Sequence, residues 1–174
     1  MKFEVIETST VYTGRVFEIR KEQVKVPGGQ TIRLDVVVHR ESVTMAPVDE
    51  AGNIWFIRQY RHPAGRELLE LPAGVIEPGE EPQQSAQREM REETGMAADQ
   101  FQLLGSFFLA PGYSTEHMYA YLATGLRNDP LKGDEDEVIS IQKVPVKTAL
   151  EMAAKGQVED AKTLATLFLL GARL

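Results

Sequence analysis

The 174-residue chain contains no cysteine. Disulfides, thiolate zinc sites and cysteine nucleophiles are therefore excluded together. Histidine is scarce: His39, His62 and His117 are the only three, too few for a histidine-rich metal site. Positive charge is in deficit, with 19 Lys and Arg against 26 Asp and Glu and a net charge of −7. That deficit argues against general nucleic-acid binding, which rests on phosphate neutralisation by Lys and Arg. No apolar run approaches the ~20 residues that span a bilayer. The longest apolar cluster, near residues 164–170, is short and fits a packed helix. The opening Met1-Lys2-Phe3-Glu4 turns polar at once, unlike a secretory signal. The expectation is a soluble cytoplasmic protein without a nucleic-acid or membrane partner. Any metal it needs must be held by oxygen ligands.

What is present is globular composition, 43% hydrophobic and 26% charged residues, in a length that suits one domain, or one domain with a small appendage. Residues 11–19 and 22–26 are rich in β-branched side chains, and the second stretch alternates cleanly. Pro27-Gly28-Gly29 is a turn, and residues 31–38 return as a strand. A second block begins near Ser42. Residues 43–48 and 54–60 flank a hairpin loop over 49–53, and 67–72 is a further short strand. The spacing predicts a helix over 82–94, with proline in its first turn and Gly95 just past its end. Strands are expected at 103–109, 118–122 and 138–144, and closing helices near 146–155 and 160–170. Many strands with few helices give an α+β fold with mixed sheets.

The most unusual stretch runs from Gly74 to Met96. On a helix at about 100° per residue, with Glu89 at zero, Glu92 lies near −60° and Glu93 near +40°. Ala86 and Met90 fall between roughly 60° and 100° on the same wheel. Three carboxylates thus share one face and border the apolar stripe that must pack on a sheet. Like charges at i,i+4 destabilise a helix by about 0.2–0.5 kcal/mol per pair, and burial beside a core raises that cost. Arg88 reaches Glu92 at i,i+4, but one arginine does not balance three carboxylates. A hard divalent cation with oxygen ligands does, and Mg²⁺ is typically held by a few carboxylates, waters and substrate phosphates.

Gly74, Glu80, Arg88, Glu89, Met90, Glu92, Glu93, Gly95 and Met96 fill every fixed position of Gly-x5-Glu-x7-Arg-Glu-U-x-Glu-Glu-x-Gly-U, where U is bulky and aliphatic. The stretch resembles the Nudix box, and the whole chain is similar to the ADP-ribose pyrophosphatase branch of that superfamily. The resemblance implies an α/β/α sandwich with a mixed sheet, plus an N-terminal antiparallel strand region. It implies hydrolysis of a nucleoside diphosphate linked to a second group, with Mg²⁺ as cofactor and Mn²⁺ as a substitute. Carried over by position, Glu89 and Glu93 are metal ligands, Glu92 binds a further ion or its water, and the Ala73 carbonyl completes the shell. Arg88 and Glu80 hold those carboxylates in place.

Other positions carry the branch. Pro111 lies 16 residues beyond Gly95, a spacing similar to the mark of ADP-ribose hydrolases. Pro111 and Gly112 then belong to the substrate site, and Glu116 accepts from the terminal ribose; alone, Pro-Gly-Tyr-Ser is simply a turn. Arg61, closing Arg58-Gln59-Tyr60-Arg61, is the candidate for phosphate or base, against a surface arginine at a strand end. Gly133-Asp134-Glu135-Asp136-Glu137 is a solvated acidic loop by composition; the resemblance makes Glu137 or Glu135 the general base. It also implies a homodimer in which residues 1–41 swap between copies beside a Nudix domain over 42–174. Phe17 and Arg33 are then candidates for contacts made in trans, against core packing and a solvent-facing strand arginine. The expected reaction is ADP-ribose plus water to AMP plus ribose 5-phosphate. A broader nucleoside-diphosphate-sugar hydrolase and a non-catalytic ADP-ribose sensor remain as alternatives.

Overall fold

The computed structural model describes residues 2–133 and 138–173. They form two compact units, one of residues Met1–Glu41 with Phe108–His117, the other of Ser42–Phe107 with Met118–Leu174.

The first unit is an antiparallel meander of β1 (Glu4–Thr13), β2 (Phe17–Lys25) and β3 (Thr31–His39), in that order. The expected strand over 11–19 straddles a chain reversal instead: the Gly14 amide donates to the Phe17 carbonyl at 2.9 Å. The β-branched residues on either side belong to two strands, and the glycine between them breaks the run. The Gly28-Gly29 turn does form, with φ of 111° and 89°, values that L side chains avoid. The segment Phe108–His117 lies along β3. The Val37 amide donates to the Tyr113 carbonyl at 2.8 Å, and the Thr115 amide donates to the Val37 carbonyl at 3.0 Å. The His39 amide donates to Thr115 Oγ1 at 2.9 Å.

The second unit holds β4 (Ser42–Pro47), β5 (Asn53–Arg61), a 3-10 turn (His62–Ala64), β6 (Arg66–Glu70), β7 (Ala73–Val75), α1 (Pro82–Thr94), β8 (Met96–Phe108), β9 (His117–Asn128), β10 (Ile139–Pro145), α2 (Val146–Ala154) and α3 (Ala161–Gly171). One sheet has the order β7-β4-β9-β8 and is mixed, since β4 runs antiparallel to β7 and parallel to β9. The other is antiparallel with the order β10-β5-β6.

All six residues of β4 are buried, which marks it as the strand covered on both faces. Its alternate residues enter different cores. Val43 and Met45 pack with Ala86 and Met90 of α1. Ala46 packs with Phe56 and Leu69 of the second sheet and with Ala149, Leu167 and Leu170 of α2 and α3. This is the α/β/α layering expected of the chain. Met90 is fully buried, which contributes about 1.5–3 kcal/mol and fixes the rotation of α1. Among the described residues, no helix is long and apolar enough to cross a membrane.

Candidate active site

Helix α1 starts and stops on strong local signals. Glu81 and Gln84 form a reciprocal capping box, Pro82 opens the first turn, and Gly95 closes the helix at φ 73°; only glycine adopts that angle without strain. The predicted span of 82–94 is the observed one. With Met90 and Ala86 turned into the core, the carboxylates of the same wheel are fixed at its edge.

Arg88 organises this edge. Its Nε and Nη2 donate to the two oxygens of Glu80, both at 3.0 Å. Its Nη1 donates to Glu89 at 2.6 Å and to Glu92 at 2.9 Å. Nη2 also donates to the Val75 carbonyl at 3.1 Å. The hydrogen bond to Glu80 leads in raising the Arg88 pKa, against its partial burial. The same bond holds the Glu80 carboxyl below its ordinary value. Glu93 is buried, and its Oε2 accepts from the Ala73 amide at 2.9 Å. Three carboxylates thus gather around one guanidinium, with Glu93 held on the Ala73 amide, in partial burial where charge is poorly screened.

Gly74 is required here by space. A Cβ on it would lie 2.0 Å from the Glu89 carboxyl carbon and 2.2 and 2.3 Å from its oxygens. The Glu89 carboxylate therefore rests against bare backbone of β7. Residues 70–73 are tied down along their length. The Leu71 amide donates to Thr163 Oγ1 of α3 at 2.8 Å, the Pro72 carbonyl accepts from the Met45 amide at 2.9 Å, and Ala73 is held by Glu93. Strand β7 was not expected from the sequence; three residues are too few to show a period.

Arg61, at the end of β5, is engaged. Its Nε and Nη2 donate to Glu70 at 2.8 and 2.7 Å. Glu70 is fully buried and Arg61 is 39% exposed. Burial pushes the Glu70 carboxyl up, but the Arg61 hydrogen bonds and the Lys162 ammonium outweigh it and leave it below its ordinary value. The Arg61 pKa is raised, first by the bond to Glu70 and in smaller part by the charges of Glu93 and Asp160. Of the α1 carboxylates, Glu93 is the one whose charge reaches Arg61. Glu70 and Lys162 are site neighbours that sequence reasoning missed. Glu70 falls in the expected strand over 67–72 and Lys162 in the expected closing helix near 160–170, where neither was singled out.

The other candidates lie in the first unit. Pro111 and Gly112 are in the segment beside β3, and Glu116 Oε1 is 3.9 Å from His39 Nδ1. Phe17 stands opposite His39 in register, its ring 6.1 Å from Tyr12. Arg33 stands opposite Gln23 and lines a shallow groove with Lys21, Glu22 and Asp35. Glu135 and Glu137 fall outside the described residues.

Residues 38–167 match the family profile described as NUDIX domain. The chain belongs to the Nudix family. It is 39% identical over 166 residues to an ADP-ribose pyrophosphatase of Mycobacterium tuberculosis (strain ATCC 25618 / H37Rv), covering 94% of this chain and 80% of that protein. It is 33% identical to an ADP-ribose pyrophosphatase of Bacillus subtilis (strain 168), covering 92% and 88%. A solved structure described as an ADP compounds hydrolase superposes with a TM-score of 0.90 at 25% identity, covering 100% of this chain and 95% of that one. With an intact box, the chain is a Nudix hydrolase.

Nudix hydrolases use divalent metal ions, and α1 and β7 supply donor types that a hard cation takes. The donors are all oxygen, as hard cations require. The carboxylates outnumber the local cation, and the bare Gly74 backbone makes a cradle for Glu89. Among the described residues, no group of three or more His, Asp or Glu side chains stands in metal-holding geometry. Arg88 links Glu89 and Glu92, and the Ala73 amide holds Glu93.

Proposed function

We propose that this chain is a cytoplasmic, homodimeric hydrolase that cleaves the diphosphate of ADP-ribose to AMP and ribose 5-phosphate, with Mg²⁺ as cofactor and Mn²⁺ as a substitute. The observation that carries the reading is the crowding of Glu80, Glu89 and Glu92 around the one Arg88 guanidinium, with Glu93 on the Ala73 amide. The names of the relatives point to ADP-ribose in particular.

In this reading Glu89, Glu92, Glu93 and the Ala73 carbonyl hold the metal, and Glu80 and Arg88 orient those carboxylates. The metal, when bound, neutralises diphosphate oxygens and acidifies a water. Arg61 holds a phosphate oxygen by its exposed edge. Pro111, Gly112 and Glu116 of the first unit are carried over by position as substrate contacts, Glu116 to the terminal ribose hydroxyls. Glu135 or Glu137 takes the proton of the attacking water, with Glu92 assisting. Water oxygen bonds to one phosphorus in line, the bridging P–O bond breaks, and two monophosphates leave.

The homodimer is supported by the first unit, where Phe3, Val5, Ile6, Val11, Tyr12 and Phe17 are 40–61% exposed. Apolar surface on that scale marks interfaces. Phe17 and Arg33 are assigned to contacts with the neighbouring copy's substrate.

The test is product analysis on a panel of ADP-ribose, ADP-glucose and GDP-mannose with Mg²⁺ or Mn²⁺. AMP and ribose 5-phosphate, at the highest kcat/KM of the panel, are expected from ADP-ribose. Faster turnover of another nucleotide sugar would reject the substrate and keep the reaction. Tight binding of ADP-ribose without turnover of any member would favour a sensor.

A further inference from the structure

We propose that Lys162 is a positioning residue for Arg61, keeping that arginine available to a substrate phosphate by sharing its carboxylate partner. This rests on the reading of Arg61 as a phosphate contact. The observation is a chain of charges running inward from Arg61. Glu70 Oε1 accepts from Arg61 Nε, and Oε2 accepts from Arg61 Nη2. The same Oε2 also accepts from Lys162 Nζ. Lys162 Nζ reaches Asp160 Oδ1 at 3.1 Å as well. The Lys162 side chain is 9% exposed and that of Arg61 is 39%. The cluster has a buried cation at one end and a half-exposed cation at the other.

Neither neighbour needs Lys162 for ordinary reasons. Glu70 is already held on both oxygens by Arg61, the strongest geometry a carboxylate finds in a protein. Asp160 already caps α3, its Oδ2 accepting from the Thr163 amide at 3.0 Å and from Thr163 Oγ1 at 2.6 Å. Local preference is against a lysine at this place. A cation in the first turn of a helix faces the positive end of the dipole. A buried ammonium also gives up its water. A residue that breaks local rules is expected where function requires it.

Charge supplies the reason. Arg61 and Glu70 alone form a neutral pair, and the guanidinium would be committed to its carboxylate. A second cation on Oε2 draws off part of that carboxylate's field. Counting Asp160 on Lys162, the four side chains carry no net charge; Lys162 shares Glu70 Oε2 with Arg61, and Arg61 is the half-exposed cation of the group. A diphosphate is the complementary ligand. Lys162 never touches the substrate in this account; it sets how strongly Arg61 does.

The experiment measures kcat and KM for ADP-ribose, or for whichever nucleotide sugar is turned over, since the diphosphate is common to all. It also measures affinity for α,β-methylene ADP-ribose by calorimetry in EDTA. Lys162→Met is expected to raise KM and weaken the analogue about tenfold, with kcat changed less than about twofold, the signature of lost ground-state binding. Lys162→Arg restores both. A thermal shift with unchanged KM and analogue affinity would show a purely structural lysine and overturn the proposal. If Lys162→Met does not fold, the Glu70→Gln/Lys162→Met double variant removes both charges of the buried pair. With no carboxylate left to commit Arg61, KM is expected at or below the wild-type value, and a rise like that expected of Lys162→Met overturns the proposal. Arg61→Lys separates the two ideas. No rise in KM there means that the reading of Arg61 fails. A rise there, but none in Lys162→Met, means that only the role of Lys162 fails.

Discussion

Two charged clusters of the second unit are built on opposite ratios. At α1, one guanidinium, Arg88, is divided among Glu80, Glu89 and Glu92, with Glu93 held close by on the Ala73 amide. At the end of β5, one carboxylate, Glu70, is divided between Arg61 and Lys162. The first is short of positive charge; the second is balanced once Asp160 on Lys162 is counted, but its two cations share the one buried carboxylate. A fold that sought only stability would pair these groups one to one, because unmatched charge away from water is costly. The proposed divalent cation would relieve the crowding of carboxylates in the first, and Arg61 of the second is the group proposed to meet a phosphate. The charge of Glu93 helps to raise the Arg61 pKa, in smaller part than Glu70 does.

The contrast can be broken most severely at Glu93. Glu93→Gln removes one negative charge from the cluster and should lower kcat by at least about 10³-fold, the several kcal/mol that a metal site supplies. Circular dichroism should show an unchanged fold; turnover near the wild-type rate would remove the box from the mechanism. Gly74→Ala comes next. Its added methyl must displace the Glu89 carboxylate it would otherwise meet at 2.0 Å. A misplacement on that scale should cost about 10²-fold in kcat, and a wild-type rate would show that Glu89 can shift freely.

The cationic cluster is sharpened through stability. Glu70→Ala leaves two partly buried cations facing each other, and should cost about 3–5 kcal/mol in urea unfolding. A smaller loss than that of an ordinary surface variant would mean that the cations relax into solvent. The gentlest test is acid. Glu70 and Glu80 both lie below their ordinary value of 4.5 in the folded protein. Their stabilisation is complete above the unfolded value and is lost as pH falls through the folded one. Glu80→Gln should therefore flatten the loss of stability below about pH 4.5, seen as a smaller drop in Tm between pH 6 and pH 3. An unchanged slope would contradict the Arg88–Glu80 pairing.

The anionic cluster was legible in the sequence because its parts are close together along the chain. Helical geometry alone puts Glu89, Glu92 and Glu93 on one face, and Pro82 and Gly95 mark its ends. The cationic cluster was hidden because its parts are not. Lys162 lies 92 residues from Glu70, and nothing local distinguishes a buried lysine from one on the outer face of an amphipathic helix. Strand β7 was missed because it is defined by its partner β4 rather than by its own pattern. The expected strand over 11–19 ran through a turn because Gly14 was outweighed by the β-branched residues beside it. The α/β/α layering followed from the box, whereas the place of Arg61 beside Glu70 required the paired strands β5 and β6.

The central claim is that the carboxylates of α1 hold a divalent ion against a diphosphate. Electron paramagnetic resonance of Mn²⁺, titrated into the protein with and without α,β-methylene ADP-ribose, tests it most directly. The wild-type protein should bind Mn²⁺ more tightly when the analogue is present, and a Glu89→Gln/Glu93→Gln variant should lose that binding while remaining folded. Equal Mn²⁺ binding by the folded variant and the wild type, with the analogue present, would contradict the account.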